Sequence, residues 1–244
     1  MILFDNLIKE LKENYIHQYP HTHLQPQVYQ CADQNEIIFS SDTAFTLGGN
    51  NLPSIGGTLI TSNDLFCDNK IILIGDDLNQ IKEDNPFARI SLIKVKEDFD
   101  LNNSNKLYQS IRQIDYVRYQ VYPKGYMIRI SPFSKIESVK VSKSALKDGL
   151  SFSHVGKLYI DEYLKIPHIK SATILFITKK DFPFNEVEKI IKKEEDITLT
   201  LDHLLNKVKM DCTSCSLQQI CNEVEKLITK KNVYVYKKVD AFFR

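Results

Sequence analysis

Short runs of apolar and β-branched residues recur between residues 36 and 95, and Gly, Asn, Asp or Pro separates each run from the next. Runs of this length and composition, bounded by turn residues, are typical of β-strands. We predict strands at residues 37–39, 58–60, 71–74 and 90–93. Because the connections between them are short, this part of the chain is expected to be rich in β-structure.

Helices and strands alternate in the rest of the predicted fold. Apolar spacing predicts helices at residues 4–15, 107–114, 152–163 and 184–210, the last interrupted near Asp196, and strands at 127–130, 139–141 and 172–178. A helix at about 217–229 and a strand at 233–236 are predicted after them. These elements predict an α+β fold, in which helices pack on a mixed sheet and two lobes form one unit. We place a β-rich lobe with the N-terminal helix at residues 1–145, and an α/β lobe with a cysteine cluster at 146–244.

Charge and hydropathy argue against two classes of protein. Lys and Arg number 32 and Asp and Glu 31, so the net charge of +1 does not favour nucleic-acid binding. A membrane-spanning helix needs about 18 consecutive apolar residues, and no apolar run in the sequence is that long. The N-terminus lacks the pattern of a signal peptide, and the odd number of cysteines, 5, does not suggest a disulfide framework. We therefore expect a cytoplasmic protein without nucleic-acid or membrane partners.

Three cysteines lie close together near the end of the sequence. Two residues separate Cys212 from Cys215, and five separate Cys215 from Cys221. Ser216 and Gln219 have the spacing of a capping box, which predicts that a helix begins at Ser216. The positive end of that helix would favour thiolates that bind a metal.

Two kinds of metal site fit these cysteines. Zinc in a structural site takes four protein ligands, and an iron–sulfur cluster is usually held by four cysteines. The fourth position would be filled by Cys31, Cys67, His203 or a small exogenous ligand. Three buried cysteines without metal remain the alternative, because free cysteine is among the most buried residue types.

Arginine and tyrosine are interleaved between residues 89 and 129. Arg118 and Arg129 lie in this stretch, and Lys143 follows it. A guanidinium group binds phosphate and an aromatic ring stacks on a base, so the combination suits coenzyme A. The alternative to a ligand site is that these arginine and tyrosine side chains cover the apolar edge of a sheet face. His21 and His23 are a further pair of possible metal ligands in a predicted loop between Pro20 and Pro26. Histidines on a loop rich in Gln and Pro are more often solvated.

The order of several motifs resembles acetyl-CoA synthase, the beta subunit of the acetyl-CoA decarbonylase/synthase complex. The shared motifs are AFTLGG at 44–49, IGDDL at 74–78, PFA at 86–88, GYMIRIS at 125–131, VSK at 141–143, GL at 149–150, ILFIT at 174–178, and CTSC at 212–215 with Cys221. They cover roughly residues 35 to 225.

The resemblance implies a mixed α+β domain that supports a nickel–iron–sulfur site. In that family the cysteines equivalent to Cys212, Cys215 and Cys221 belong to the iron–sulfur half of the site. A fourth cysteine and a Cys-Gly-Cys that holds nickel follow them in the family, and neither motif occurs in this sequence. The gap between Cys215 and Cys221 is also shorter than in the family. We therefore expect an iron–sulfur cluster, with 4Fe–4S as the first choice and zinc as the alternative, and no nickel.

The resemblance also bears on partners. The segment with Arg118 and Arg129 matches a region near which the family handles coenzyme A. We expect coenzyme A or an acyl-CoA as a ligand, and a corrinoid protein or a carbon monoxide dehydrogenase as a protein partner. Whether the chain is itself an enzyme stays open. The alternative function is a zinc-stabilised or metal-free module that binds an acyl-CoA or a protein.

Overall fold

Eight strands and five helices are defined in the computed structural model, which describes residues 3–66, 68–100, 104–131, 135–205, 217, 220–222 and 224–226. The strands are β1 Thr22–Leu24, β2 Thr43–Leu47, β3 Ser54–Thr61, β4 Lys70–Ile74, β5 Phe87–Val95, β6 Tyr126–Ile130, β7 Glu137–Ser142 and β8 Ile169–Ile177. The helices are α1 Asp5–Leu11, α2 Ser104–Tyr116, α3 Lys143–Lys147, α4 Phe152–Leu164 and α5 Phe184–Leu205. A π-helical turn, Lys12–Ile16, extends α1, and 3-10 turns occur at Glu97–Asp100 and Val117–Tyr119.

The strands form two sheets. The larger has the order β1-β4-β8-β5-β3, and the smaller has the order β2-β7-β6. In the larger sheet β3 is parallel to β5 and β4 is parallel to β8, whereas β5 and β8 are antiparallel. This mixed sheet with its helices confirms the predicted α+β fold class. Because β8 lies between β4 and β5, the larger sheet takes strands from both sides of residue 145.

Different elements cover the two faces of the larger sheet. On β3 the Cα of Gly57 faces Ile191 of α5, and a Cβ built there would lie 2.5 Å from the Ile191 Cδ1. Its neighbour Gly56 faces the other way, toward Glu137 of β7. Gly156 of α4 packs against Ile71 on that same second face. The helix α5 therefore covers one face, and α4 and the smaller sheet cover the other.

The helices follow the apolar periodicity of the sequence. In α4, the side chains of Phe152, Val155, Tyr159 and Tyr163 are all fully buried, at the i, i+3 and i+4 spacing of a helix face. The predicted interruption near Asp196 is wrong, because α5 is continuous from Phe184 to Leu205. None of the described helices is both long and apolar enough to cross a membrane.

One predicted strand does not form. Residues 37–39 have no regular structure, and Ile37 and Phe39 are 77% and 72% exposed. The apolar run has the composition of a strand, but the smaller sheet is made by β2, β6 and β7 without it. The other strands predicted up to residue 178 are present as β3 to β8, with different ends.

Candidate functional site

The cysteine cluster is described at one of its three positions. Cys212 and Cys215 lie outside the described residues, so their convergence with Cys221 stays a prediction. The backbone N–H of Cys221 donates to the carbonyl of Leu217 at 2.8 Å, as in a helical turn. The Cys221 thiol is half-buried and lies 3.9 Å from the hydroxyl of Thr200 on α5. Cys221 therefore lies at the side of α5.

His203 lies close to this contact along the helix. It follows Thr200 by three residues, and residues at this spacing lie on the same side of a helix. Its side chain is half-buried in the last turn of α5. Cys221 contacts α5, and His203 is the candidate fourth ligand that lies on this helix.

Cys31 has a different environment. Its exposed thiol donates to the carbonyl of Tyr122 at 3.2 Å. Two residues earlier, the ring of Tyr29 packs on His154 of α4, with centroids 4.9 Å apart. Cys31 is therefore associated with the α4 face of the larger sheet and Cys221 with α5. Cys67 lies outside the described residues. Within the described ranges, no group of three or more His, Cys, Asp or Glu side chains is placed to hold a metal ion.

The three residues predicted to bind coenzyme A have different surroundings. Arg118 is 5% exposed, and its Nε lies 3.8 Å from the Asp115 carboxylate. Arg129 is exposed on β6. Lys143 is exposed at the start of α3 and donates to the carbonyl of Ser41 at 3.1 Å. No hydrogen bond or ion pair among the described residues joins two of the three.

A fully buried ion pair connects the two sheets. Arg89 of β5 donates through Nε and Nη2 to the two carboxylate oxygens of Glu137 on β7, each at 2.6 Å. Its Nη1 donates to the Ser91 hydroxyl at 2.7 Å, and the guanidinium lies 4.8 Å from the ring centroid of Tyr159. Burial opposes the charge of Arg89, but the charge and hydrogen bonds of Glu137 together with Tyr159 and Tyr163 outweigh it, so the pKa of Arg89 is raised. The bidentate geometry is that of a strong charge-assisted pair.

Two tyrosine hydroxyls adjoin this pair. Tyr126 and Tyr159 are buried, and neither hydroxyl has a hydrogen-bond partner among the described residues. Burial raises the pKa of both well above the ordinary value for tyrosine, and the charge of Glu137 adds to the effect. Both therefore stay protonated and keep an O–H donor beside the ion pair.

A second buried cluster joins α5 to α2. The Nζ of Lys135 lies 3.0 Å from Glu194 on α5 and 3.6 Å from Asp115 on α2. Burial raises the pKa of Glu194 to about 7, although Lys135 acts in the opposite direction. Burial also opposes ionisation of Asp115, but Lys135 and Arg118 outweigh it, and the pKa of Asp115 is lowered. Glu194 is thus the carboxyl in this cluster that gains a proton near neutral pH.

A surface cavity of about 600 Å³ lies beside α3. The exposed side chains of Val28, Ile37 and Phe39 line it, and the last two belong to the predicted strand that does not form. Asp42 also lines the cavity and accepts hydrogen bonds from the hydroxyl and backbone groups of Ser144. The cavity thus combines apolar and acidic side chains.

Sequence analysis did not identify the charged residues of the core. Arg89 occurs within the apolar run FARISLI, which is an unusual place for a charge and was the available signal. Glu137, Lys135 and Glu194 occur in polar stretches of ordinary composition. Their partners are distant in sequence, so no local pattern indicates that these carboxylates are buried.

These observations define an α+β protein with a buried ionic core and a cysteine, Cys221, that contacts α5. No protein-family model matches the chain, and no curated protein matches it significantly.

Proposed function

We propose that this chain is an acetyl-CoA-synthase-like iron–sulfur protein of one-carbon and acetyl-CoA metabolism. It carries a cluster, 4Fe–4S as the first choice, on Cys212, Cys215 and Cys221. It acts as an accessory protein or subunit without a nickel site of its own. The observation that carries the proposal is the spacing of the three cysteines.

The described part of the site supports this proposal in one respect. Cys221 contacts Thr200, and His203 follows Thr200 by one turn of α5. An imidazole on the same side of the helix is suitably located to complete a site that has three cysteines. We therefore propose His203, rather than Cys31, as the fourth protein ligand.

The proposed partners follow from the resemblance. A chain that carries a cluster without nickel ligands needs a second protein for carbon–carbon bond formation. We propose that it docks a corrinoid protein or a carbon monoxide dehydrogenase in the cytoplasm.

Coenzyme A binding is a secondary part of the proposal. Arg129 and Lys143 are exposed, and Lys143 donates to the Ser41 carbonyl, whereas Arg118 is enclosed beside Asp115. We expect Arg129→Ala to weaken coenzyme A binding by about 1.5–3 kcal/mol if the contact is charge-assisted. Titration calorimetry tests this, with Lys157→Ala as the control because Lys157 pairs with Asp161 on α4. Failure of the wild type to bind at millimolar coenzyme A would remove this ligand from the proposal.

Anaerobic purification tests the cluster. The protein should be brown, with broad absorption from thiolate-to-iron charge transfer, and should lose this absorption in Cys212→Ala, Cys215→Ala and Cys221→Ala. Colourless protein with stoichiometric zinc would instead support the zinc-stabilised binding module.

Two further variants identify the fourth ligand. His203→Ala should yield less cluster, or a cluster that oxygen destroys faster, whereas Cys31→Ala should behave like wild type. If Cys31→Ala has the larger effect, the assignment to His203 is wrong. If neither variant differs from wild type, the fourth ligand is exogenous or is Cys67.

A further inference from the structure

Two histidines flank Thr22, the first residue of β1: His21 immediately precedes this edge strand of the larger sheet, and His23 lies within it. β1 is the last strand in the order of that sheet, and His23 pairs with Ile72 of β4. His21 and His23 are both exposed. Side chains two residues apart along an extended chain point to the same side, so both imidazoles leave the sheet in one direction.

The two rings are as far apart as a shared metal requires. Their centroids are 5.2 Å apart, and the ring planes are nearly perpendicular at 89°. A zinc–nitrogen bond is about 2.1 Å, and the nitrogen lies about 1.1 Å from the ring centre. Two imidazoles at the tetrahedral angle about one ion therefore have centroids about 5 Å apart. The ring separation already matches this distance.

The ring of His21 is also held in a tautomer suited to coordination. Its Nδ1 lies 3.1 Å from the backbone carbonyl of Tyr19. A carbonyl oxygen only accepts, so in the neutral ring Nδ1 carries the proton and Nε2 keeps its lone pair. Histidines that bind metals commonly donate the other ring N–H to a carbonyl or carboxylate in this way, which fixes the ring and raises its basicity.

We propose that His21 and His23 form a two-imidazole site for a borderline divalent transition-metal ion such as Ni²⁺, Cu²⁺ or Zn²⁺. The ion would bind through the ring nitrogens, and water or an exogenous ligand would complete its coordination. Because β1 pairs with β4 from Thr22 to Leu24, the backbone that carries His23 is fixed, and His21 is the residue next to this paired segment. The site uses none of the three cysteines, and it does not depend on the proposed function.

Nickel titration followed by proton NMR tests the site in the full chain. Paramagnetic Ni²⁺ added below one equivalent should broaden the imidazole ring signals of His21 and His23 before those of His154 and His168. Calorimetry with Ni²⁺ should show at least tenfold weaker binding for His21→Ala and for His23→Ala. His17→Ala is the matched control, because His17 is exposed four residues before His21, and it should bind like wild type.

Protons compete with the metal for imidazole, so the affinity should fall at acidic pH. Both histidines are exposed, so the alanine variants should unfold at the wild-type urea concentration, and any loss of binding reports on ligation. Broadening that begins at other histidines, or Ni²⁺ affinity unchanged in the double variant His21→Ala/His23→Ala, would overturn the proposal. Iron and sulfide content should be the same in these variants, which separates this site from the cysteine cluster.

Discussion

Arg89 and Glu137 face each other between the two sheets, and both side chains are fully enclosed. Removing one member of such a pair leaves an uncompensated charge in a medium of low dielectric constant. Replacing both members with apolar residues removes both desolvation penalties. We therefore expect the pair to determine how the sheets fit together more than it adds to the free energy of unfolding.

We expect Arg89→Met to lower the free energy of unfolding by about 3–5 kcal/mol, because Glu137 loses its charge partner. The double variant Arg89→Met/Glu137→Met should recover a large part of this loss. Urea unfolding measures both. The control is Lys157→Ala, which breaks an exposed i, i+4 pair with Asp161 and should cost less than about 1 kcal/mol. A double variant less stable than either single variant would contradict the interpretation.

Glu194 gives stability a distinct dependence on pH. Its pKa in the folded protein is about 7, above the ordinary value of 4.5, so the folded state binds more protons than the unfolded state between these two values. Stability should therefore fall as the pH rises from about 4.5 to 7, and Glu194→Gln should remove this part of the dependence. Asp115, which also contacts Lys135, has a lowered pKa. Its effect on the pH dependence of stability therefore occurs below its ordinary pKa of 3.8, outside the range in which Glu194 acts.

Urea unfolding midpoints of wild type and Glu194→Gln, compared between pH 5 and pH 8, measure the effect. The difference between the two proteins isolates Glu194, because every other ionisable group is present in both. If Glu194→Gln leaves the slope of stability against pH unchanged, Glu194 does not titrate in this range.

At the scale of elements, α5 packs closely on β3 because Gly57 has no side chain. A Cβ on Gly57 would lie 2.5 Å from the Cδ1 of Ile191, and the next two contacts, to Cγ1 and Cγ2, are at 3.0 and 3.1 Å. The first contact is with the terminal methyl of a residue that is itself fully buried. The fit between the helix and the strand therefore depends on two complementary residues.

Gly57→Ala should destabilise the protein by about 1–3 kcal/mol through overpacking. Ile191→Val removes the Cδ1 methyl, and should by itself cost about 0.5–1.5 kcal/mol. The double variant should be more stable than the sum of the single effects predicts, and thermal unfolding of the four proteins measures this coupling. Strict additivity would show that α5 shifts away from β3 instead of meeting the new methyl group.

The sequence predicts strands well where burial is continuous. The apolar runs at 71–74 and 90–93 form β4 and part of β5, whose side chains at these positions are all buried. The run at 37–39 has the same composition but two exposed side chains and no sheet partner. Local composition does not distinguish a buried strand from an exposed apolar wall, because strand formation depends on pairing with distant residues.

At the scale of the whole molecule, the order of the strands depends on distant pairing. β8 lies between β4 and β5 and pairs with both, although about 100 and 80 residues separate them in the sequence. The α+β class follows from the elements alone, whereas this order does not. The site shows the same limit of sequence-based prediction. The spacing of the cysteines is local and can be read from the sequence, whereas the contact of Cys221 with Thr200 depends on how the chain folds.

The whole chain is expected not to synthesise acetyl-CoA from a methyl-corrinoid, carbon monoxide and coenzyme A, even with added nickel. A nickel centre for this reaction needs soft thiolate ligands next to the cluster. Of the 5 cysteines, three are assigned to the cluster, and no Cys-Gly-Cys occurs. The measurement is nickel-dependent carbonyl exchange, with Cys215→Ala as the control. Exchange above the rate of that control would show that the chain supplies nickel ligands we have not identified.

The most direct test of the central proposal is the content of iron, sulfide and zinc in the anaerobically purified chain, with Mössbauer spectra of ⁵⁷Fe-enriched protein. The proposal predicts about four iron and four sulfide per chain, and the spectrum of a 4Fe–4S cluster. It predicts that both are lost in Cys212→Ala and Cys215→Ala. One zinc per chain without sulfide, or a chain without metal that retains its fold, would contradict it.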